Sequence, residues 1–313
     1  MATLRIAFLS ALVLELIATL GVALVAVSVG LRLVFGDMTL ATGLTVLLLA
    51  PDVFWPLRRV GVEFHAAQSG KASFDKAFAL MAECPQVQTG LSVVDVSHAP
   101  IRFDGVSIAG RDGPAPRNLT AFIAAGRVTV LAGDNGAGKS TALQAIAGLV
   151  TPTEGRVTVA GVDVVDLDRA NWWRQLAWLA QRPVVLPGTV AQNLTLFGPL
   201  ADPDGACRAS GFADVLADLP NGVATVLGRG GVGLSLGQRQ RLGLARALGS
   251  DATVLLLDEP TAHLDEITEA TVLAAITQRA RAGATVVVAA HRDSVLAIAD
   301  QVITVESERR VAI

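Results

Sequence analysis

The sequence predicts an α/β domain with a largely parallel sheet, preceded by two transmembrane α-helices. Three observations predict this fold class. A glycine-rich loop that ends in Lys139 and Ser140 follows an apolar, strand-like segment and precedes a helix-like one. A second apolar segment, 254–257, ends in two carboxylates, and long apolar runs fill the N-terminal part of the chain. From Leu91 onward strand-like and helix-like segments alternate, which is typical of helices packed around a parallel sheet.

Composition indicates a membrane piece joined to a soluble piece. Mean hydropathy is +0.52 and hydrophobic residues make up 52% of the chain, more than a wholly soluble protein usually has. The net charge of −3 provides no basic footprint, so nucleic acid is not an expected partner. Cys84 and Cys207 lie far apart and have no metal-ligand spacing, which indicates reduced cytosolic side chains.

The first apolar run, Ile6 to Val29, contains one charge, Glu15, and is long enough to cross a hydrocarbon core of about 30 Å. The second, Leu40 to Trp55, is shorter and is interrupted at Pro51; extended to Val60, it also predicts a span with a proline kink. The alternative for the first run is a cleaved signal peptide. Its apolar core exceeds the roughly 7–15 residues of such peptides, which favours a membrane span.

The charges that flank the two runs predict how the helices are oriented. A hairpin places Arg5 on the same side as Arg58 and Arg59, and the positive-inside rule makes that side the cytoplasm; Arg32 near the other end opposes this. We therefore expect a multi-pass membrane protein whose C-terminal part lies in the cytoplasm. Glu15 would either line a transport path or bind a neighbouring helix.

Three regions follow from these patterns. Residues 1–70 are predicted to form the membrane part with its cytosolic extension, 71–90 a linker, and 91–313 a nucleotide-binding domain. Residues 58–83 keep a helical apolar spacing, which predicts a rigid lever between membrane and ATP-binding part; the alternative is a simple tether.

The glycine-rich loop fits the phosphate-binding pattern G-x-x-x-x-G-K-[ST]. Its residues are Gly133, Asp134, Asn135, Gly136, Ala137, Gly138, Lys139, Ser140 and Thr141. The glycines allow backbone N–H groups to turn toward a triphosphate, and the following helix adds its dipole. Lys139 would reach the β- and γ-phosphates of ATP, and the Ser140 hydroxyl would bind Mg²⁺.

The two carboxylates after the apolar segment 254–257 are typical of the Walker B motif. Asp258 would hold Mg²⁺, and Glu259 would act as general base on the attacking water. The alternative is a pair of solvated carboxylates at a strand end, which the phosphate-binding loop in the same chain disfavours.

The stretch from Leu234 to Gln238 resembles the signature sequence of ATP-binding cassette (ABC) proteins, with Leu236 where the family usually has glycine. Other elements resemble those of the family in the same order. Gln181 is similar to the Q-loop glutamine that contacts Mg²⁺, 261–265 to the D-loop, and His291 to the histidine that contacts the γ-phosphate. The resemblance therefore implies an ABC-type ATPase whose cassette has a helical subdomain.

The resemblance also implies a partner and a mechanism. In the family two cassettes pair head to tail, so Ser235, Gly237 and Gln238 would bind the nucleotide held on the partner's phosphate-binding loop. ATP binding would close the pair, and hydrolysis would reopen it and move the membrane helices.

Four departures from the family pattern raise questions for the structure. Leu236 would be strained if its backbone needs a positive φ. No adenine-stacking aromatic lies near residues 97–100, where His98 or Phe103 would have to substitute. The stretch 228–231 lacks the glutamate of exporters, and His263 is unusual in the D-loop.

Hairpin and cassette together resemble an exporter half-transporter, and residues 47–58, with Glu15, are similar to the CydD family. CydD proteins form one half of heterodimeric exporters of cysteine and glutathione that serve cytochrome bd assembly. The resemblance implies a location in the bacterial inner membrane, a CydC-like partner half, contact with membrane lipid and a small thiol substrate. A complete half carries six membrane helices, so this chain resembles the C-terminal part of one. Open alternatives are an exporter half for lipid or peptide and a truncated cassette without transport.

Overall fold

The computed structural model describes residues 2–82, 90–110 and 113–307, and the chain divides into two compact units, Met1–Val87 and Gln88–Ile313. The predicted linker residues 84–86, and Cys84 with them, lie outside the described residues. The helix before them extends through residues 71–82 of the predicted linker. The three-region division of the chain therefore stays a prediction.

The first unit contains two helices, α1 (Ala2–Val34) and α2 (Leu40–Ala82). They pack closely near the turn, where a Cβ on Gly43 would lie 2.9 Å from Leu33 Cδ1. In α1 the segment Glu15–Val34 is long and apolar enough to cross a membrane. In α2 the apolar segment is only Leu40–Val53, which is shorter than the roughly 20 residues of a span. Among the described residues, only the first of the two predicted spans therefore meets the length requirement.

The second unit is built on a five-stranded parallel sheet with the order β11-β3-β10-β9-β6. The strands that pair in it are β3 (Val128–Ala132), β6 (Leu176–Leu179), β9 (Val254–Asp258), β10 (Thr285–Ala289) and β11 (Gln301–Thr304). The β9 and β10 side chains are all buried, as expected for a parallel sheet covered on both faces. The predicted parallel α/β core is confirmed.

Two smaller sheets extend the unit. The first is antiparallel, with the order β2-β1-β4-β5, and the second pairs β7 with β8. The strands are β1 (Ile101–Ser107), β2 (Leu119–Ile123), β4 (Glu154–Val159), β5 (Val162–Asp163), β7 (Gly188–Thr189) and β8 (Val226–Leu227).

Helices cover the parallel sheet and form a separate cluster of their own. They are α3 (Lys139–Ile146), α4 (Arg169–Arg174), α5 (Val190–Leu194), α6 (Pro203–Ala209), α7 (Phe212–Asp218), α8 (Leu236–Gly249), α9 (Glu266–Arg281) and α10 (Asp293–Leu296). Two core clusters lie on the faces of the parallel sheet, and a third joins α5, α6 and α7 to one side of α8. That third core is the helical subdomain expected from the resemblance.

Candidate nucleotide site

The phosphate-binding loop connects the end of β3 to the start of α3 and is tightly enclosed by backbone. A Cβ on Gly133 (φ 149°) would lie 2.4 Å from the carbonyl oxygen of Val305. A Cβ on Gly138 (φ 100°), the residue that caps α3, would lie 2.2 Å from the Pro116 nitrogen. Neither position can hold a side chain without moving backbone, so glycine is required for this loop geometry.

Lys139 places its positive charge inside the loop. Its side chain is 7% exposed, and its ammonium group donates to the carbonyl oxygens of Gly133 (2.7 Å) and Asp134 (3.0 Å). A buried cation beside backbone N–H groups at a helix N-terminus fits a phosphate group in both charge and donor geometry. Of the other loop residues, Asp134, Asn135 and Gly136 are exposed, whereas Ala137 is buried.

Asp258 ends the buried strand β9 beside this loop and is 5% exposed. Burial raises the pKa of its carboxyl group above the usual range, and the neighbouring Glu259 raises it further. The hydroxyl of Ser140, which hydrogen-bonds this carboxyl group, and the charge of Lys139 oppose that rise in pKa. A hydroxyl and a carboxylate held together at the loop are the oxygen ligands that suit Mg²⁺ in this class of site.

Glu259, Gln181 and His291 come together at the same edge of the sheet. They follow β9, β6 and β10, which are neighbouring parallel strands, so the three residues meet where the strands end. The Gln181 amide donates to Glu259 Oε2 at 3.4 Å, and His291 Nδ1 lies 3.6 Å from Glu259 Oε1. The structure thus brings together the three residues predicted to be catalytic.

The backbone of Glu259 is unusual, with φ 47° in the left-handed region. Such a conformation in a residue other than glycine costs about 1–2 kcal/mol and persists only where the surroundings hold it. The Glu259 N–H donates to the carbonyl of Ala289 at 2.9 Å, which ties it to the end of β10. The fold therefore imposes the backbone conformation that sets the direction of the Glu259 side chain.

The signature residues form the start of α8. The Ser235 hydroxyl accepts from the Gln238 N–H at 3.2 Å, and the Gln238 side chain accepts from the Ser235 N–H at 2.8 Å. Leu236 is the first helical residue and has no positive φ, so the glycine-to-leucine change causes no backbone strain there. The sequence carried the signal of this cap in the spacing S-x-x-Q.

Phe103 was one of two candidates to replace the adenine-stacking aromatic, and that prediction is wrong. Its side chain is fully buried in the core, because β1 turns it to the same face as Ile101. The two-residue period of a strand carried this signal in the sequence. His98, the other candidate, lies exposed in the turn before β1.

Comparison with known proteins agrees with this geometry. Residues 116–262 match the family described as ABC transporter. The chain is 35% identical over 274 residues to the glutathione/L-cysteine transport system ATP-binding/permease protein CydC of Bacillus subtilis (strain 168), covering 86% of this chain and 48% of that protein. It is 34% identical over 293 residues to CydD of the same kind of system in Escherichia coli (strain K12), covering 88% and 49%.

Other relatives broaden the comparison. The mycobactin import ATP-binding/permease protein IrtB of Mycolicibacterium thermoresistibile is 34% identical over 281 residues, covering 88% of this chain and 48% of that protein. A solved structure described as a bacterial Atm1-family ABC exporter with ATP bound matches with a TM-score of 0.68 and 27% identity, over 95% of this chain and 53% of that one.

The chain spans about half the length of the curated relatives it matches. Within that half, the phosphate-binding loop, the carboxylates after β9 and the signature at the start of α8 lie in one α/β unit. The chain therefore belongs to the ABC transporter family and carries its ATP-binding domain.

Proposed function

We propose that this chain is the ATP-binding and membrane-embedded part of an ABC exporter subunit, in which ATP hydrolysis drives transport across the bacterial inner membrane. The observation that carries the proposal is the convergence of Gln181 and His291 on the Glu259 carboxylate, beside the loop that encloses Lys139. The apolar segment of α1 and the likeness to an Atm1-family exporter support the membrane part of the proposal.

At the phosphates, the roles follow from charge and burial. The Lys139 ammonium, already held inside the loop, exchanges its contacts with loop carbonyls for the β- and γ-phosphate oxygens of ATP. Ser140 and Asp258 would hold Mg²⁺, which would supply charge neutralisation at the phosphates. Burial disfavours the charged form of the Asp258 carboxyl group, whereas the positive charge of Lys139 favours it. A bound cation would favour the charged form further.

At the attacking water, Glu259 acts as general base. Gln181 and His291 contact different oxygens of its carboxylate, which fixes the direction in which that group can accept a proton. In this role His291 would also contact the γ-phosphate, and Gln181 would also contact the metal. Gln181 and His291 would thus connect the general base, Glu259, to the metal and the γ-phosphate.

A second ABC half-transporter, related to CydC, completes the proposed assembly. Ser235, Gly237 and Gln238 at the start of α8 contact the nucleotide bound to the partner's loop. The Ser235 hydroxyl keeps its proton free to donate, since in the cap it acts only as an acceptor from Gln238. Closure on two ATP molecules, followed by hydrolysis, would move the membrane helices.

For the substrate, we propose a small thiol reductant, cysteine or glutathione, exported for cytochrome bd assembly. The CydC and CydD relatives, described as glutathione/L-cysteine transport proteins, support the thiol substrate. The relative named for mycobactin import makes a siderophore a second candidate. A lipid or peptide substrate, or a cassette without transport, gives a different outcome in the same test.

The test uses inverted membrane vesicles that contain the full chain and a CydC-like partner. Labelled glutathione or cysteine should accumulate only when ATP is present, and the Glu259→Gln variant should abolish the accumulation. Accumulation of labelled lipid without thiol would identify a lipid substrate instead, and ATP-dependent loss of labelled mycobactin preloaded into the vesicles would identify an import substrate. Equal thiol accumulation with Glu259→Gln would show that transport does not depend on this ATP site.

A further inference from the structure

One face of α8 lies against the loop 259–265 that follows β9. Gly237, Gln240 and Arg241 have the spacing i, i+3, i+4, which places them on one side of a helix. A Cβ on Gly237 would lie 2.8 Å from the carbonyl oxygen of His263, and Arg241 Nη2 lies 2.6 Å from Asp265 Oδ2. The signature helix therefore contacts the second half of this loop at His263 and Asp265.

Gln240 makes the contact of this face that reaches Glu259. Its side chain is 2% exposed, and its amide donates to the carbonyl oxygen of Glu259 at 3.1 Å and more weakly to that of Pro260 at 3.5 Å. The carbonyl belongs to the residue whose left-handed backbone aims the proposed general base. A buried amide that binds this carbonyl limits rotation of the peptide and so limits the direction of the carboxylate.

We propose that Gln240 is a positioning residue that connects the signature end of α8 to the orientation of Glu259. The inference rests on the proposed function. It adds a structural connection, within one chain, between the nucleotide bound to the partner's loop and the nucleotide bound to this chain's own loop. Ser235, at the N-terminus of α8, contacts the partner's nucleotide, and Gln240 lies just over one turn further along the same helix. A shift of α8 caused by the partner's ATP therefore moves the group that holds the Glu259 peptide.

The test is the steady-state ATPase activity of the full chain assembled with its partner half. Gln240→Met keeps the length of the side chain but removes the donor. We expect kcat to fall at least about 10-fold while KM for ATP changes little, because the phosphate contacts stay in place. The control is Gln301→Met, which removes a similar amide-to-carbonyl bond of 2.8 Å to Phe122, at the other end of the parallel sheet. That variant should keep the wild-type kcat.

A double variant separates positioning from a loss of structure. If Gln240 acts through Glu259, Gln240→Met should not lower the residual rate any further in a Glu259→Gln background. The inference would be overturned if Gln240→Met lowered kcat by the same factor in the Glu259→Gln background as in the wild type. A wild-type kcat in the single Gln240→Met variant would also overturn it. If Glu259→Gln itself keeps the wild-type rate, the proposed function fails instead, independently of Gln240.

Discussion

Replacement of Gly138 by alanine tests the geometry of the phosphate-binding loop most directly. The residue has φ 100°, so any side chain costs about 1–2 kcal/mol in backbone strain. Its Cβ would also lie 2.2 Å from the Pro116 nitrogen and 2.4 Å from the carbonyl carbon of Ala115. These are backbone atoms that no rotamer change can move. Overpacking of this kind adds about 1–3 kcal/mol, which gives a total of about 2–5 kcal/mol.

Gly283 provides the matched control because its backbone has almost the same conformation, φ 102°, and nothing lies within 4 Å of its Cβ position. Gly283→Ala should therefore cost only the strain, about 1–2 kcal/mol. The difference between the two variants, about 1–3 kcal/mol, measures the overlap at the loop. Thermal unfolding of the full chain in detergent should show the larger decrease in Tm for Gly138→Ala.

Calorimetric titration with MgATP completes the comparison. Gly138→Ala should weaken ATP binding at least about 10-fold, because 1.4 kcal/mol of overlap relieved by moving the loop is already a tenfold effect. Gly283→Ala should bind ATP as the wild type does. Wild-type affinity and the same Tm decrease in both variants would refute the tight enclosure of Gly138.

Two further predictions concern charges at the same site. Lys139→Met should weaken ATP binding by about 10–150-fold, the range expected for loss of a charged hydrogen bond worth about 1.5–3 kcal/mol. Unchanged affinity in the same titration would show that ATP phosphates do not bind at Lys139. Asp258→Asn should unfold at a higher temperature than the wild type at neutral pH without nucleotide. Since burial raises the Asp258 pKa, the folded state is favoured at acidic pH and this advantage is lost as the pH rises through the raised pKa. The Tm difference between variant and wild type should therefore shrink on acidification, and a constant difference would contradict the reasoning.

Much of the site could be predicted because its information is local. The glycines of the phosphate-binding loop and the carboxylates after β9 occupy fixed positions next to apolar strands, so each motif also predicts its structural context. Gln181 and His291 were found only through the order of family elements. The sheet order β10-β9-β6, which places both beside Glu259, is a long-range feature that no local pattern contains.

The failures have physical causes of two kinds. Phe103 cannot substitute for the adenine-stacking aromatic, because the alternation within β1 turns its side chain into the core, and that alternation is visible in the sequence. The second membrane span stays a prediction, because its extension from Val53 to Val60 falls largely on side chains outside the described residues. The contact between Gln240 and Glu259 could not be predicted for a different reason. It depends on which face of α8 meets the loop 259–265, and tertiary packing alone decides that.

That packing places α8 between the signature residues and the backbone of Glu259. Lys139 begins α3 after β3, and Glu259 directly follows β9, the strand whose side chains, like those of β10, are all buried. Ser235 lies instead at the tip of a helix whose one side packs in the helical subdomain. On its other side, Leu244, Ala247 and Leu248 of α8 pack in the core cluster on one face of the parallel sheet. The helix thus joins the signature to the backbone of Glu259 through Gln240, and any displacement of α8 would have to be accommodated in both of these cores.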